Sequence, residues 1–491
     1  MHLTRRAFMQ RSLACTSAAA FPSIITHCSG GNGELDTYGG WKGLQGERTG
    51  FFHLEKVNGR NWLITPEGNV FFAVALSHLL SGDTKQAAAN VYGGDHDKWV
   101  RSSLAIARTM GFNCALGGAT SPERNINGFV NLPKAEQIFR EDNFPFAAGV
   151  ILMKHPWEYV EGETLPDIYE PAFIQFVESL AEDVCPKVKD DPLVMGYYYG
   201  FGAFNRSQIW VNHHLACPPG SPGREAIVNV LIKRYDDNVQ ELNNVYGTSF
   251  QQMSDLKNTA ILEYHQDFER RNFPAVKKRL DARQVADFEA ILSEMCTRIY
   301  KIAHAAIRRR DTNHLIFGSF VKEHALTAES WKAAAPYIDT IAPQHLHRDM
   351  SVNEFADAAG LPAILSDEYF GFFHPNVKHG HAGVVSHDAR GDIYRANMMR
   401  QYKDPQIVGV THCACMYDQA GKSAENNKYM QNGFHDIQGN PREYLIAAAT
   451  EINKAVYTHT LNYATPEELH TIDRALWDTW DKNSTTPQPQ R

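Results

Sequence analysis

The stretch Leu361-Pro-Ala-Ile-Leu-Ser-Asp-Glu-Tyr-Phe-Gly371 constrains the fold of this chain more than any other. Four residues, Pro362 to Leu365, have the continuous apolar character of a strand buried on both faces, as in a parallel sheet. Asp367 and Glu368 follow at once, and then Tyr369, Phe370 and a glycine. A buried strand that delivers carboxylates to its own carboxyl end is how parallel barrels present reactive groups. The alternative is an ordinary strand-end carboxylate that caps a helix or pairs with an arginine, because a charge at such a site is costly without a partner.

Similar apolar runs recur along the chain. They are Val70–Leu76, Asn113–Leu116, Ala147–Leu152, Leu193–Tyr199, Leu315–Val321, Ile338–Ala342, Pro362–Leu365 and Ile407–Val410. Helical stretches lie between them, including Trp99–Met110, Phe173–Lys187 and Gln284–Arg310. In the last of these Phe288, Leu292, Met295, Ile299, Ile302 and Ile307 form one apolar face, and Asp311-Thr-Asn313 ends it. Strands alternating with helices predict the α/β class, specifically a (β/α)8 TIM barrel. A hairpin over Phe51–Ile64 and the turn Thr65-Pro-Glu-Gly68 precede the first strand, and a helical insertion at about 204–283 follows the fourth. The barrel is expected over 34–462. The segment 463–491 is expected to hold a helix, opened by the capping box Thr465-Pro-Glu-Glu468 and running through Trp480, and then a disordered polar tail.

The N-terminus is expected to stand apart from the fold. Thr4-Arg5-Arg6-Ala-Phe8 followed by a weakly apolar run to Phe21 reads as a twin-arginine export signal, with residues 1–33 as signal and tether. This places the mature protein in the periplasm or at the outer membrane or cell surface. Cys28, in His27-Cys-Ser-Gly-Gly, is a candidate for acylation, and such a lipid anchor is the one membrane association expected. Cys114, Cys185, Cys217, Cys296, Cys413 and Cys415 are too scattered for a disulfide scaffold in 491 residues and read as small buried hydrophobes. A net charge of −8 with no basic stripe argues against nucleic acid as a partner.

In a barrel, function sits where strands end. The strand-end side chains here are Ser77 and His78; Gly117 and Gly118; Lys154, His155 and Trp157; Tyr199, Phe201 and Gly202; Lys322 and Glu323; Gln344, His345 and His347; Asp367, Glu368 and Tyr369; His412, Tyr417 and Asp418. Aromatic faces stack on sugar rings, and His, Gln and carboxylates bond their hydroxyls. His78, Trp157, Tyr199, Gln344, His345, His347, Tyr369, His412, Tyr417 and Asp418 are therefore candidate carbohydrate contacts. A metal held by His78, His345, His347 and His412 is the competing reading. No carboxylate stands at ligand spacing from His345-Leu-His347, so neither metal nor cofactor is expected.

Several motifs, in order, resemble the β-agarase and β-galactosidase group of retaining glycoside hydrolases. They are Trp62-Leu-Ile-Thr-Pro-Glu-Gly-Asn-Val-Phe-Phe72, Met110-Gly-Phe-Asn113, Asp191-Pro-Leu-Val-Met-Gly-Tyr197, and Leu242-Asn243 with Tyr246-Gly-Thr248. Thr411-His412, Tyr417-Asp-Gln419, Asn432-Gly433 and Gly439-Asn-Pro-Arg442 complete the series. The resemblance implies a (β/α)8 barrel acting on galactose-containing, agar-like or other algal saccharides. It makes Glu368 the nucleophile and adds Asn432 to the substrate contacts. Where the group carries its acid/base Glu after the fourth strand, this chain reads Tyr199-Gly-Phe-Gly202-Ala, and Gly202 cannot transfer a proton. Glu323 beyond the fifth strand, Asp367 beside Glu368, or His412 or Asp418 at the eighth strand is then expected to replace that acid, Glu323 being the best placed carboxylate. The alternatives are a catalytically silent carbohydrate-binding relative and a metal-dependent sugar enzyme.

Overall fold

The computed structural model describes residues 34–80, 84–117, 131–153, 165–200, 204, 206–258, 262–322, 324–344, 348, 351–368, 384–418 and 431–484. The chain enters through an antiparallel sheet of β1 (Trp41–Gln45), β2 (His53–Val57), β3 (Arg60–Ile64) and β4 (Asn69–Phe71), in the order β1-β4-β3-β2. Asn58 and Gly59 make the expected hairpin. Both adopt left-handed backbone, φ 49° and 84°, which matches the twist of the strands they join. The turn at Thr65–Gly68 closes with Gly68 N donating to the Thr65 carbonyl at 2.8 Å and sends the chain back as β4.

Among the described residues nine parallel strands follow: β5 (Ala73–Leu76), β6 (Cys114–Ala115), β7 (Phe146–Gly149), β8 (Val194–Tyr198), β9 (Leu315–Gly318), β10 (Val321–Lys322), β11 (Pro343–Gln344), β12 (Ala363–Glu368) and β13 (Ile407–His412). Their order is β10-β11-β12-β13-β5-β6-β7-β8-β9, so neighbours in sequence are neighbours in space. The two ends of that order, β9 and β10, are separated only by Ser319 and Phe320. The series therefore returns to its start within one segment, the connectivity of a TIM-like barrel.

Three expected strands differ in detail. The run Val70–Leu76 is two strands in two sheets, and the chain changes sheet at Phe72. All seven residues are buried, so no polar position marks the change. The run Leu315–Val321 breaks at Gly318, whose φ of 77° bends the chain, and a Cβ there would lie 3.0 Å from Ile338 Cγ2. The sixth strand pairs through Pro343 and Gln344 rather than through Ile338–Ala342, although Ile341 still bridges to Ala363.

Small and large side chains together fill the barrel interior: Ala73, Ala75, Cys114, Ala147, Met195, Tyr198, Phe317, Ile364 and Val408. Phe52, Leu63 and Phe71 join this cluster, so the antiparallel sheet plugs the amino end of the barrel. The opposite faces of the strands pack on helices that include His96–Thr109, Pro171–Val188, Ala282–Arg308 and His387–Lys403. Asp281 caps the longest by accepting from Arg283 N and Gln284 N. Between β8 and β9 the expected insertion contains the helices Ser207–Ala216, Pro222–Arg234, Val239–Tyr246, Asp255–Asn258 and Pro274–Lys277. The capping box at Thr465 is present, and its helix runs three residues beyond Trp480, to Asn483. The export signal, Cys28 and residues 485–491 lie outside the described residues. Among those residues no helix is long and apolar enough to cross a membrane.

Candidate active site

Glu368 ends β12 and is 2% exposed. The ladder between β12 and β13 pairs Leu365 with Val410 and Glu368 with His412, so three steps along one strand match two along the other. The extra residue is taken up at Asp367, whose φ of 57° is left-handed. Several bonds hold it there. Asp367 N donates to Thr411 Oγ1 at 2.6 Å, Thr411 Oγ1 bonds Ser77 Oγ at 2.6 Å, and His78 Nε2 lies 2.9 Å from Asp367 Oδ1. The Glu368 carbonyl accepts from Cys413 N at 2.6 Å, and Ser77 N donates to the His412 carbonyl at 3.0 Å. The fold thus brings His78, Asp367, Glu368 and His412 together at the carboxyl ends of β5, β12 and β13.

His412 is buried with its ring edge-on to Tyr394 at 5.0 Å and beside Phe434 at 6.1 Å. Burial pushes its pKa down to about 3, Arg390 pushes the same way, and Asp367 and the Glu368 carbonyl oppose. The ring is therefore neutral at physiological pH. Gln344 is buried, pairs in register with Ser366, and donates from Nε2 to the Phe320 carbonyl at 3.2 Å.

Tyr199 is not at the mouth. It packs on Tyr300 of the helix Ala282–Arg308, with ring centroids 5.9 Å apart, and burial raises its hydroxyl pKa. Successive side chains of a strand point to opposite faces. Its neighbour Tyr198 is the one inside the barrel, its ring tilted against Phe320 with centroids 5.4 Å apart. Met195 also faces inward, and the ladder with β9 shifts register between Tyr197 and Tyr198, so counting parity from Met195 would have turned Tyr199 inward instead.

Asp418, Tyr417 and Asn432 belong to a knot that fixes the segment 431–435. Arg442 Nη2 donates to Asp418 Oδ2 at 2.5 Å, and Gly433 N donates to Asp418 Oδ1 at 3.0 Å. Arg390 Nη2 donates to the Asn432 carbonyl at 2.6 Å. The Tyr417 and Tyr92 hydroxyls bond to each other. Burial raises the Asp418 pKa, and Arg442, in ion-pair contact with it, opposes that rise. The sequence signals neither arginine as its partner. Glu323, Trp157, His345, His347, Tyr369 and Gly202 lie outside the described residues.

Among the described residues one set of donors could suit a metal: His78, Asp367 and Cys413 offer nitrogen, oxygen and sulfur within 4.8 Å of one another. It differs from the all-histidine set expected from the sequence. Two of the three, His78 Nε2 and Asp367 Oδ1, lie 2.9 Å apart.

A series of parallel strands whose two end strands follow each other in the chain, with carboxylates, imidazoles and amides gathered at their carboxyl ends, is the arrangement of the TIM-like barrel class. Within that class it is similar to β-agarase B of Vibrio sp. (strain JT0107). The two are 24% identical over 493 residues, an alignment that takes in 86% of this chain and 50% of the relative. The chain thus spans half the length of that relative. Its fold is shared with the crystal structure of the agarase AgWH50C, at a TM-score of 0.66 and 18% identity over 87% of this chain and 68% of that one. An exo-β-agarase matches at 0.66 and 19%, again over 87% of this chain and 68% of that one. The β-galactosidase of the psychrophilic Marinomonas ef1 is more distant, at 0.50 and 11% over 84% of this chain and 65% of that one. No protein-family model matches the chain. The resemblance read from the motifs is to the same agarases and β-galactosidases.

Proposed function

We propose that this protein is a glycoside hydrolase that acts on galactose-containing, agar-like or other algal poly- or oligosaccharides. The observation that carries the proposal is Glu368, a buried carboxylate at the carboxyl end of a barrel strand, set in a backbone irregularity braced from two other strands. In this reading Glu368 attacks the anomeric carbon and forms a glycosyl-enzyme, which water then hydrolyses. With Gly202 in place of the usual acid, the departing oxygen takes its proton from Glu323 or Asp367. His78, Trp157, Gln344, His345, His347, Tyr369 and His412 line the sugar site. Asp418, Tyr417 and Asn432 shape its wall through the Arg442 and Arg390 bonds. Twin-arginine export, with or without acylation at Cys28, places the enzyme where polysaccharide is met.

The test uses aryl galactosides of graded leaving-group acidity. Wild-type protein is expected to turn over the most activated substrate, and Glu368→Gln to abolish turnover while leaving the melting temperature within about a degree. Wild-type activity in a folded Glu368→Gln protein removes this residue from the mechanism. Gly202 favours a second reading, a carbohydrate-binding relative without activity, because losing acid–base assistance forfeits about 10²–10⁴-fold in rate. No turnover of any aryl galactoside, with or without added azide or formate, favours that reading.

A further inference from the structure

We propose that Thr411 is a positioning residue for Glu368. Its hydroxyl, braced by Ser77, holds the left-handed turn at Asp367 that sets where Glu368 leaves β12. The inference rests on the role given to Glu368 above. Among the described residues six that are not glycine have positive φ: Asn58, Asn143, Phe204, Asp236, Asp237 and Asp367. Asn58 forms the hairpin turn. Asn143, Asp236 and Asp237 follow the ends of helices Leu132–Glu141 and Pro222–Arg234. Asp367 alone of the six lies inside a strand. A left-handed residue there interrupts the ladder and persists only where its surroundings over-determine it.

The surroundings that do so come from the ends of two other strands, β13 and β5. Thr411 Oγ1 takes the Asp367 N–H at 2.6 Å, the bond that β13 would otherwise offer from its backbone. Ser77, just beyond β5, fixes the rotation of that hydroxyl through the 2.6 Å bond between the two oxygens. His78 Nε2 lies 2.9 Å from Asp367 Oδ1. Thr411 is fully buried, so water cannot replace its hydroxyl. Without that acceptor the extra residue can move along β12, and because side chains alternate along a strand, a one-residue slip turns the carboxylate of Glu368 to the other face. A catalytic group misplaced by about 1 Å can lose about 10²-fold in rate.

Thr411→Val keeps the shape and deletes the hydroxyl, Thr411→Ser restores it, and Ser366→Ala is the control. The control removes a buried hydroxyl bond of 2.9 Å, to the Ala342 carbonyl, from the same strand without touching Asp367. On an activated aryl galactoside, Thr411→Val is expected to lower kcat by at least about tenfold with KM within about twofold. Thr411→Ser and Ser366→Ala should both stay within about threefold of wild type in kcat. Hydrogen exchange of the segment 363–368, followed by mass spectrometry, reads the turn without any activity. It should be at least about tenfold faster in Thr411→Val and unchanged in Ser366→Ala and Glu368→Gln. If Thr411→Val does not fold, Ser77→Ala takes its place, with faster exchange over 363–368 expected. Wild-type exchange and kcat in the hydroxyl-deleted variant, or a loss that Thr411→Ser does not rescue, overturns the proposal. Should the wild type turn over no aryl galactoside, the glycosidase reading fails and the exchange measurements alone decide the role of Thr411.

Discussion

His412 makes the stability of this protein depend on pH in a way that can be isolated. The ring is 3% exposed, lies between Tyr394 and Phe434, and has its pKa held to about 3 by burial. In the unfolded chain the same imidazole titrates near 6.5, a value typical of a solvated histidine. The folded state therefore refuses a proton that the unfolded state accepts. The associated stability is complete above pH 6.5 and declines as the pH falls toward the folded value. At pH 5.0 the unfolded chain is favoured by about 2 kcal/mol through this one site, and at pH 7.5 by almost nothing. His214 and His387, both held to about 4 by burial, add losses of the same sign. Replacing His412 with Gln removes its titration and leaves theirs. Urea unfolding of both proteins at pH 7.5 and 5.0 gives a difference of differences in which the wild type loses about 2 kcal/mol more than His412→Gln. Equal losses in the two proteins would refute the assignment of a low folded pKa to this ring.

Other perturbations test the remaining features. Arg442→Met strands the buried Asp418 carboxylate and should destabilise by about 3–5 kcal/mol, and adding Asp418→Asn should recover most of that. Additive losses in the double mutant would show that the pair is not coupled. Dialysis against a strong chelator should change neither melting temperature nor activity, because no resident ion is expected there. A stoichiometric ion, lost with stability and restored with it, would make His78, Asp367 and Cys413 a metal site. Thr465→Ala removes one half of the capping box and should lower stability by about 1 kcal/mol, whereas Thr465→Ser should be nearly silent in the same denaturation experiment.

The features legible in the sequence are those with short-range causes. Asn58-Gly59 can adopt the left-handed pair a tight hairpin needs, Thr465 and Glu468 cap each other three residues apart, and the apolar face from Phe288 to Ile307 has helical period. The same locality placed Glu368 at the end of a strand, because Pro362 to Leu365 is a continuous apolar run that stops at the carboxylates. Strands buried on both faces carry no period, so the change of sheet at Phe72 and the break at Gly318 left no mark in the pattern. Only the tertiary structure turned Tyr198 inward and Tyr199 toward Tyr300, and gave Asp418 to Arg442, 24 residues away. Ser77 and Thr411 meet across 334 residues, and Asp367 and Thr411 across 44. Each of these bonds depends on which strands the barrel sets side by side, and that order follows from closing the whole sheet around one core, which no local stretch of sequence encodes.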